Sequence, residues 1–269
     1  MARIWQTGGS SWELPQRGAV MGILNVTPDS FSDGGTHADP AAALAHAAAL
    51  AEQGADVIDV GGESTRPGAQ EVTPAEEAAR VLPVLRAIRR ELSGIRLSID
   101  TRHAEVARAA LDAGADIVND ITGLRAPGML ALCAQSNCGI VLMHMQGNPA
   151  TMQDNPQYTD VVAQVRAFFQ ERVQAAVLAG IDPRRICLDP GFGFGKTSAH
   201  NMQLLEHLEK LRVRNMPLMS ALSRKRFLKD CFGNPTDPQS TVSASLLAAA
   251  HGADIHRVHD VCALKRALQ

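Results

Sequence analysis

The chain has 269 residues, with 26 Lys plus Arg against 28 Asp plus Glu and an apolar fraction of 45%. The resulting net charge of −2 excludes a nucleic-acid binder working through counterion release and a basic membrane-surface protein, both of which need concentrated positive charge. Nor does any apolar run reach the ~18 residues of a membrane span: the most apolar stretch, from Ser243 to Ala250, stops at His251 and Gly252.

The segment before Ala19, MARIWQTGGSSWELPQRG, has no continuous apolar core after Arg3. It reads as a lead-in over residues 1–18 rather than a signal peptide, so a cytoplasmic protein is expected. Strand-like runs then alternate with helical ones. The strands are expected at 19–24, 56–60, 96–99, 116–118, 140–143, 186–188, 217–219 and 254–258. Asp39-Pro40 opens the first helix, with proline at its first position, and Gly54 closes it. Thr73-Pro74 opens the second, with Glu76 and Glu77 in the first turn, where the helix dipole favours carboxylates.

An internal echo supports this alternation. Gly54-Ala55-Asp56-Val57, Gly114-Ala115-Asp116-Ile117 and Gly252-Ala253-Asp254-Ile255 each place a glycine at a helix end and an apolar strand directly after it. Strands apolar on both faces belong in a sheet covered by helices, hence a mostly parallel one. About eight β/α units without a dividing linker fit one domain over 1–269, a (β/α)8 TIM barrel, with an open parallel sheet as the alternative. The five cysteines, Cys133, Cys138, Cys187, Cys231 and Cys262, show neither CxxC nor zinc-type spacing and read as buried reduced thiols.

In a parallel barrel the C-terminal strand ends face one mouth, so polar residues there are read as a group. They are Asn25, Asp59 with Glu63, Asp100, Asn119 with Asp120, His144, Asp189, Ser223 with Lys225, and Arg257 with His259. The segments after the first two strands, NVTPDSFSDGGTHAD and GGESTRPGAQEVT, are longer than the usual ~2–6-residue connection and read as lids over the mouth. Asp189-Pro-Gly-Phe-Gly-Phe-Gly-Lys196-Thr197 is not a phosphate loop, because Pro190 stands where that motif needs glycine. It reads instead as a bend that lets Phe192 or Phe194 approach a flat ligand.

The mouth charges fall into two sets. Asp59, Asp100, Asn119 and Asp189 offer acceptors suited to a heterocycle presenting N–H donors along one edge. Arg66, Lys225, Arg257 and His259 offer cations suited to a phosphate or pyrophosphate leaving group, and Asn25 offers an oxygen for Mg²⁺. The residues by themselves point to group transfer from a pyrophosphorylated heterocycle and do not name it.

Met21-Gly-Ile-Leu-Asn25-Val-Thr-Pro-Asp-Ser-Phe31-Ser-Asp33-Gly-Gly35 and Gly54-Ala-Asp-Val-Ile-Asp59-Val-Gly-Gly-Glu63-Ser-Thr65-Arg66-Pro67-Gly68 resemble the two signature segments of the dihydropteroate synthase family. The resemblance continues through Ser98-Ile-Asp-Thr, Val118-Asn-Asp-Ile, Leu142-Met-His-Met-Gln-Gly-Asn-Pro, the 189–196 bend, Ser223-Arg-Lys and Arg257-Val-His-Asp-Val, from about Val20 to Val261. It implies a transferase of folate biosynthesis and a sulfonamide target. Such an enzyme joins 6-hydroxymethyl-7,8-dihydropterin diphosphate to p-aminobenzoate, releasing pyrophosphate and 7,8-dihydropteroate by dissociative substitution.

By that resemblance Asp100, Asn119, Asp189 and Lys225 hold the pterin between Met143 and Phe194, with Asp59 and Ser223 also in the site. Asn25 binds Mg²⁺ with the diphosphate, and Arg257 and His259 grip the phosphates. Phe31, Asp33, Thr65, Arg66 and Pro67 form the p-aminobenzoate side. Asp100, Lys225, Asn25 and Arg257 carry the chemistry, and a homodimer is implied. Two other readings stay open: a methyltetrahydrofolate-binding domain of corrinoid methyltransferases, and a pterin binder without catalysis. The Ser-Thr-Arg-Pro-Gly segment, Ser223-Arg-Lys and Arg257-Val-His favour the synthase, since a methyl carrier has no diphosphate to expel.

The chain departs from the family pattern at Ala221, where glycine is usual, and at Arg226, where a serine beside the p-aminobenzoate carboxylate is usual. The added methyl overpacks a tight wall, at a typical cost of ~1–3 kcal/mol. The arginine is expected to pair with the carboxylate. Residues 237–245 (DPQSTVSAS) also lack the usual Arg-x-x-Gly-Ser.

Overall fold

A computed structural model of the chain describes residues 3–27, 39–64, 71–148 and 151–269. The elements are β1 (Ile4–Thr7), β2 (Ser10–Glu13), β3 (Ala19–Asn25), α1 (Pro40–Glu52), β4 (Val57–Gly61), α2 (Pro74–Glu91), β5 (Arg96–Asp100), α3 (Ala104–Asp112) and β6 (Ile117–Asp120). They continue with α4 (Met129–Gln135), β7 (Gly139–Met143), α5 (Val161–Leu178), β8 (Ile186–Asp189), α6 (Ser198–Glu206), β9 (Met219–Ser220), α7 (Leu228–Cys231), α8 (Pro238–Ala250), β10 (Ile255–Val258) and α9 (Val261–Leu268). The large sheet runs β8-β7-β6-β5-β4-β3-β10-β9, all parallel. Its two ends meet at a parallel bridge between Leu188 and Leu218, where the Leu188 amide donates to Pro217 O at 2.9 Å. The sheet is therefore closed, a (β/α)8 barrel rather than the open alternative. No helix among the described residues is long and apolar enough to cross a membrane.

Why these strands are apolar on both faces is now plain. One alternate set of side chains, including Met21, Val57, Ile117, Val141, Cys187, Met219 and Ile255, fills the barrel interior. The other, including Val20, Ile58, Leu97, Val118, Ile140, Leu188 and Val258, packs outward against the helices.

The repeated Gly-Ala-Asp does more than end helices. Gly54, Gly114 and Gly252 take left-handed φ values of 95°, 100° and 93° at three helix exits. The following aspartate then reaches across to the neighbouring strand: Asp56, Asp116 and Asp254 each accept a main-chain N–H, from Val20 (2.8 Å), Leu97 (2.9 Å) and Leu218 (2.8 Å). Each is also paired with a cation, Lys265, Arg89 or Arg212, at 2.6, 2.6 and 2.8 Å. The carboxylates pin strand register at the bottom of the barrel, opposite the functional mouth.

The segment expected as a lead-in folds as an antiparallel hairpin of β1 and β2. Trp5 is fully buried against the interior set and donates Nε1–H to Arg185 O at 2.8 Å, so the hairpin plugs the barrel floor. Burying one such ring stabilises by roughly 3 kcal/mol. The expected helix starts hold: Asp39 caps α1, and Thr73 caps α2 in a full capping box with Glu76. Glu77 serves a different end, being wholly buried and accepting from Thr101 Oγ1 (3.0 Å) and pairing with His103 Nδ1 (2.7 Å). Of the five thiols, Cys133, Cys138 and Cys187 are buried as expected, whereas Cys231 is exposed and Cys262 half-buried.

Candidate active site

Strand alternation alone decides which side chains enter the mouth. Asn25 pairs in register with Gly61, Gly61 with Asp100, and Asp100 with Asn119, so the last inward positions of β3 to β6 lie side by side. One layer deeper on β4 lies Asp59, fully buried. From β10, on the other side of β3, Arg257 donates Nε–H to Asp59 Oδ2 at 2.6 Å and Nη2–H to Asp100 Oδ2 at 2.7 Å. Asn119 Nδ2 donates to the same Asp59 oxygen at 3.1 Å. Asp59 Oδ1, also buried, has no hydrogen-bond partner among the described residues.

These bonds set the protonation of the centre. Burial drives the Asp100 carboxyl up to about 7, against the pull of Arg257 and with the help of the Asp59 charge. Arg257, although desolvated, is held firmly charged by Asp59 and Asp100. It has spent only part of its five N–H donors on the two carboxylates and can still serve an anion above them.

Across the mouth, β8 ends at Asp189, whose Oδ1 accepts from the Gly191 amide at 2.8 Å. Gly191, Gly193 and Gly195 adopt φ of 66°, 78° and 61°, winding the chain into a turn that L side chains would strain. The turn lays Phe194 beside Ile121, Met143, Met145 and Met152 in an apolar wall. Lys225 Nζ stands 4.1 Å from the centroid of the Phe194 ring. Burial lowers the Lys225 ammonium to about 8, with Asp189 opposing the shift.

After β9 the chain turns sharply at Arg224, a non-glycine residue with φ of 58°, which places Lys225 inside while Arg226 stays exposed. Ser223 Oγ lies 2.9 Å from His259 Nδ1 and accepts the His259 amide at 3.2 Å, tying this turn to the one after β10. The expected mouth residues Asn25, Asp59, Asp100, Asn119, Met143, Asp189, Phe194, Ser223, Lys225, Arg257 and His259 are thus on strand ends or the turns that follow. Phe31, Asp33, Thr65, Arg66 and Pro67 lie outside the described residues.

Two features were not singled out from sequence. Arg102 clasps Glu63 with Nε and Nη2, both at 2.9 Å, a bidentate pair that also pulls Glu63 below the usual carboxylate range. Lys196, set aside with the phosphate-loop comparison, is buried beneath the glycine turn. A groove of about 780 Å³ lined by Thr159, Asp160, Arg166, His207, Lys210 and Arg212, among others, shares no residue with the mouth.

The arrangement can grip a flat, hydrogen-bonding bicycle against Phe194 and Met143 while presenting cations to an anionic tail. The family model described as "Pterin binding enzyme" matches residues 21–259. A dihydropteroate synthase of Escherichia coli strain K12 is 48% identical over 244 residues, covering 90% of this chain and 86% of that relative. The dihydropteroate synthase of Xanthomonas albilineans solved with 4-aminobenzoic acid superposes with a TM-score of 0.90 at 48% identity, covering 100% of this chain and 96% of that one. With 7,8-dihydropteroate bound, the X. albilineans enzyme gives a TM-score of 0.84 at 46% identity, covering 97% and 94%. A Yersinia pestis dihydropteroate synthase in a sulfonamide complex gives 0.91 at 44% identity, covering 98% and 96%.

Proposed function

The chain belongs to the dihydropteroate synthase family of pterin-binding enzymes, and on that premise we propose how its mouth carries out the reaction. As a transferase of folate biosynthesis it condenses 6-hydroxymethyl-7,8-dihydropterin diphosphate with p-aminobenzoate, and it is a target for sulfonamides. The observation that carries the assignment of roles is the meeting of Arg257 with Asp59 and Asp100, which puts a cation for the diphosphate directly beside acceptors for the ring.

Asn119, Asp189 and Lys225 hold the pterin edge, with Phe194 and Met143 as walls and Ser223 behind Lys225. Arg257 and His259 hold the diphosphate. The carbon–oxygen bond to the diphosphate breaks first, and the electron pair leaves with pyrophosphate. The methylene cation, delocalised into the ring, is stabilised by the Asp100 carboxylate, and the aryl amine then forms the new carbon–nitrogen bond and loses its proton. Phe31, Asp33, Thr65, Arg66 and Pro67 are assigned to the p-aminobenzoate side, and Arg226 to its carboxylate. No protein nucleophile is required.

Asn25 suits Mg²⁺. The bare Gly61 keeps the space beside it open, since a Cβ there would lie 3.7 Å from Asn25 Oδ1 and 3.5 Å from Asp100 Cβ. A neutral oxygen with substrate phosphates and water is an ordinary magnesium donor set. When bound, the metal supplies charge neutralisation to the departing diphosphate. We further take residues 1–269 as one catalytic domain, in the cytoplasm with its free thiols, and as a homodimer joined through late helices such as α8, where Leu246 is 39% exposed.

The test is pyrophosphate release with the pterin diphosphate and p-aminobenzoate, with and without Mg²⁺. Release requiring both organic substrates is expected, and Lys225→Ala should lower it by roughly two orders of magnitude or more. Pterin binding without release would refute the assignment.

A further inference from the structure

Lys196 stands apart from both charge sets. Its side chain is buried, and its ammonium partners are main-chain carbonyls and one imidazole rather than a carboxylate: Gly191 O at 2.9 Å, Phe194 O at 2.9 Å, His144 O at 3.4 Å and His144 Nδ1 at 3.0 Å. The glycine turn explains this. Its left-handed glycines turn the Gly191 and Phe194 carbonyls, with that of His144, toward one point beneath the loop, while Gly193 O and Gly195 O accept from Gln153 Nε2 and Tyr158 Oη, and the amides of Gly191 and Gly193 point to Asp189 and Asn201, each at 2.8 Å. Converging carbonyl dipoles in an apolar setting repel one another, and a buried ammonium offsets that repulsion.

We propose that Lys196 is a positioning residue for the pterin side of the site, acting through Asp189 and Phe194. Gly191 is the link to the first, since its carbonyl is held by Lys196 and its amide by the Asp189 carboxylate. Phe194 is the second, its carbonyl held by Lys196 and its ring lying under Lys225 Nζ. His144 completes the socket: it presents Nδ1 to the ammonium, and its ring meets Phe168 edge-on at 4.9 Å, so it cannot swing aside cheaply. Burial, then the Lys196 charge, keeps this imidazole neutral down to about pH 2, as the acceptor role demands. Without the ammonium, the Phe194 carbonyl would have to turn toward another donor, and among the described residues Gly191 O would keep only the Phe194 amide at 3.1 Å. That movement would displace the acceptor and the apolar wall together, both of them on the pterin side of the mouth.

This inference rests on the pterin reading of the site, and the experiment separates the two. Steady-state kinetics on the full chain, with calorimetric titration of a pterin, would compare the wild type with Lys196→Met. The expected result is a KM for the pterin diphosphate, and a pterin Kd, raised roughly tenfold or more, with the KM for p-aminobenzoate within about twofold. An equal rise of both KM values, or an unchanged pterin Kd with a lower Tm, would show a merely structural lysine. If Lys196→Met does not fold, Lys196→Gln, which keeps two amide donors, should give an intermediate pterin Kd, and a wild-type value there would overturn the inference. A wild-type chain that binds pterin without making dihydropteroate would sink the reaction assignment alone, leaving calorimetry to judge Lys196.

Discussion

Acidification should weaken this protein through His256 by an amount that the structure allows to be worked out. The ring lies fully buried on β10, next in sequence to Arg257, with Nδ1 at 2.9 Å from Ser220 Oγ and Nε2 without a partner among the described residues. A Cβ at Gly18 would stand 2.8 Å from Nε2, so that nitrogen abuts main chain. The tautomer with the lower cost carries its proton on Nδ1, donating to Ser220, and leaves Nε2 bare. A second proton would be a buried cation with nothing to accept from it, and burial accordingly pulls the imidazole from 6.5 to about 4. The unfolded chain takes that proton near the ordinary value. The stabilising contribution is therefore complete above about pH 6.5 and is lost as pH falls toward about 4. Linkage between those two values gives a loss of roughly 2 kcal/mol on going from about pH 7 to about pH 5. Urea unfolding at both pH values, on the wild type and on His256→Asn, isolates this share, because every other titrating group is common to the two. The wild type should lose roughly 2 kcal/mol more than the variant; equal losses within about 0.5 kcal/mol would mean that the imidazole is solvated, and the reasoning would fail.

Four further outcomes are expected. Gly191→Ala places a methyl 2.0 Å from His144 O at φ of 66° and should cost at least about 3 kcal/mol in thermal or urea unfolding. Asp59→Ala removes one of two carboxylates from Arg257 and should destabilise by about 3 kcal/mol; a loss under about 1 kcal/mol would show that Asp100 alone compensates the guanidinium. Arg226→Ser should raise the KM for p-aminobenzoate a few-fold, about what one exposed charge contributes, and an unchanged KM would remove its assignment to the carboxylate. Chelating Mg²⁺ should weaken binding of the pterin diphosphate while leaving that of a pterin alcohol unchanged, which equilibrium titration can measure.

The barrel was legible because two periodicities alternate along the chain and because strand tips share a mouth. Asp59, Asp100, Asn119, Asp189 and Arg257 all follow from that rule. The floor hairpin was not read, although Gly8-Gly9 between IWQT and SSWE is a two-residue turn signal, and both glycines take positive φ, 54° and 79°. Its strands are only four residues long and lie outside the β/α rhythm, which is why the rhythm concealed them. The aspartates of the Gly-Ala-Asp repeat were read only as spacing, since the strand N–H that each captures belongs to a different turn of the chain. Partnership in the site is hidden for the same reason: Arg257 is separated from Asp59 by 198 positions and from Asp100 by 157. Nothing local says that one guanidinium will span both. Lys196 shows the opposite failure, for comparing 189–197 with a nucleotide motif directed attention to a phosphate rather than to the loop's own carbonyls.

The charge balance of the mouth explains why its cations are stored as they are. Asp59, Asp100 and Asp189 are set against Arg257 and Lys225, with the Asp100 carboxyl raised to about 7, so the cluster carries little net charge in a setting that penalises any excess. A diphosphate adds several negative charges at once, more than Arg257 and Lys225 together supply. Arg257 has a way out: the carboxylates engage its Nε and Nη2 edge, leaving further N–H donors for phosphate without breaking either pair. The remainder of the negative charge has to be matched from outside this set, by a divalent ion near Asn25 or by protonation of Asp100, whose elevated value keeps that proton within reach near neutral pH. Protonating Asp100 would sacrifice the carboxylate that stabilises the methylene cation, whereas a metal at Asn25 leaves it ionised. The two bonds that hold Arg257 therefore keep the Asp100 carboxylate at the mouth while leaving the guanidinium further donors for the departing pyrophosphate.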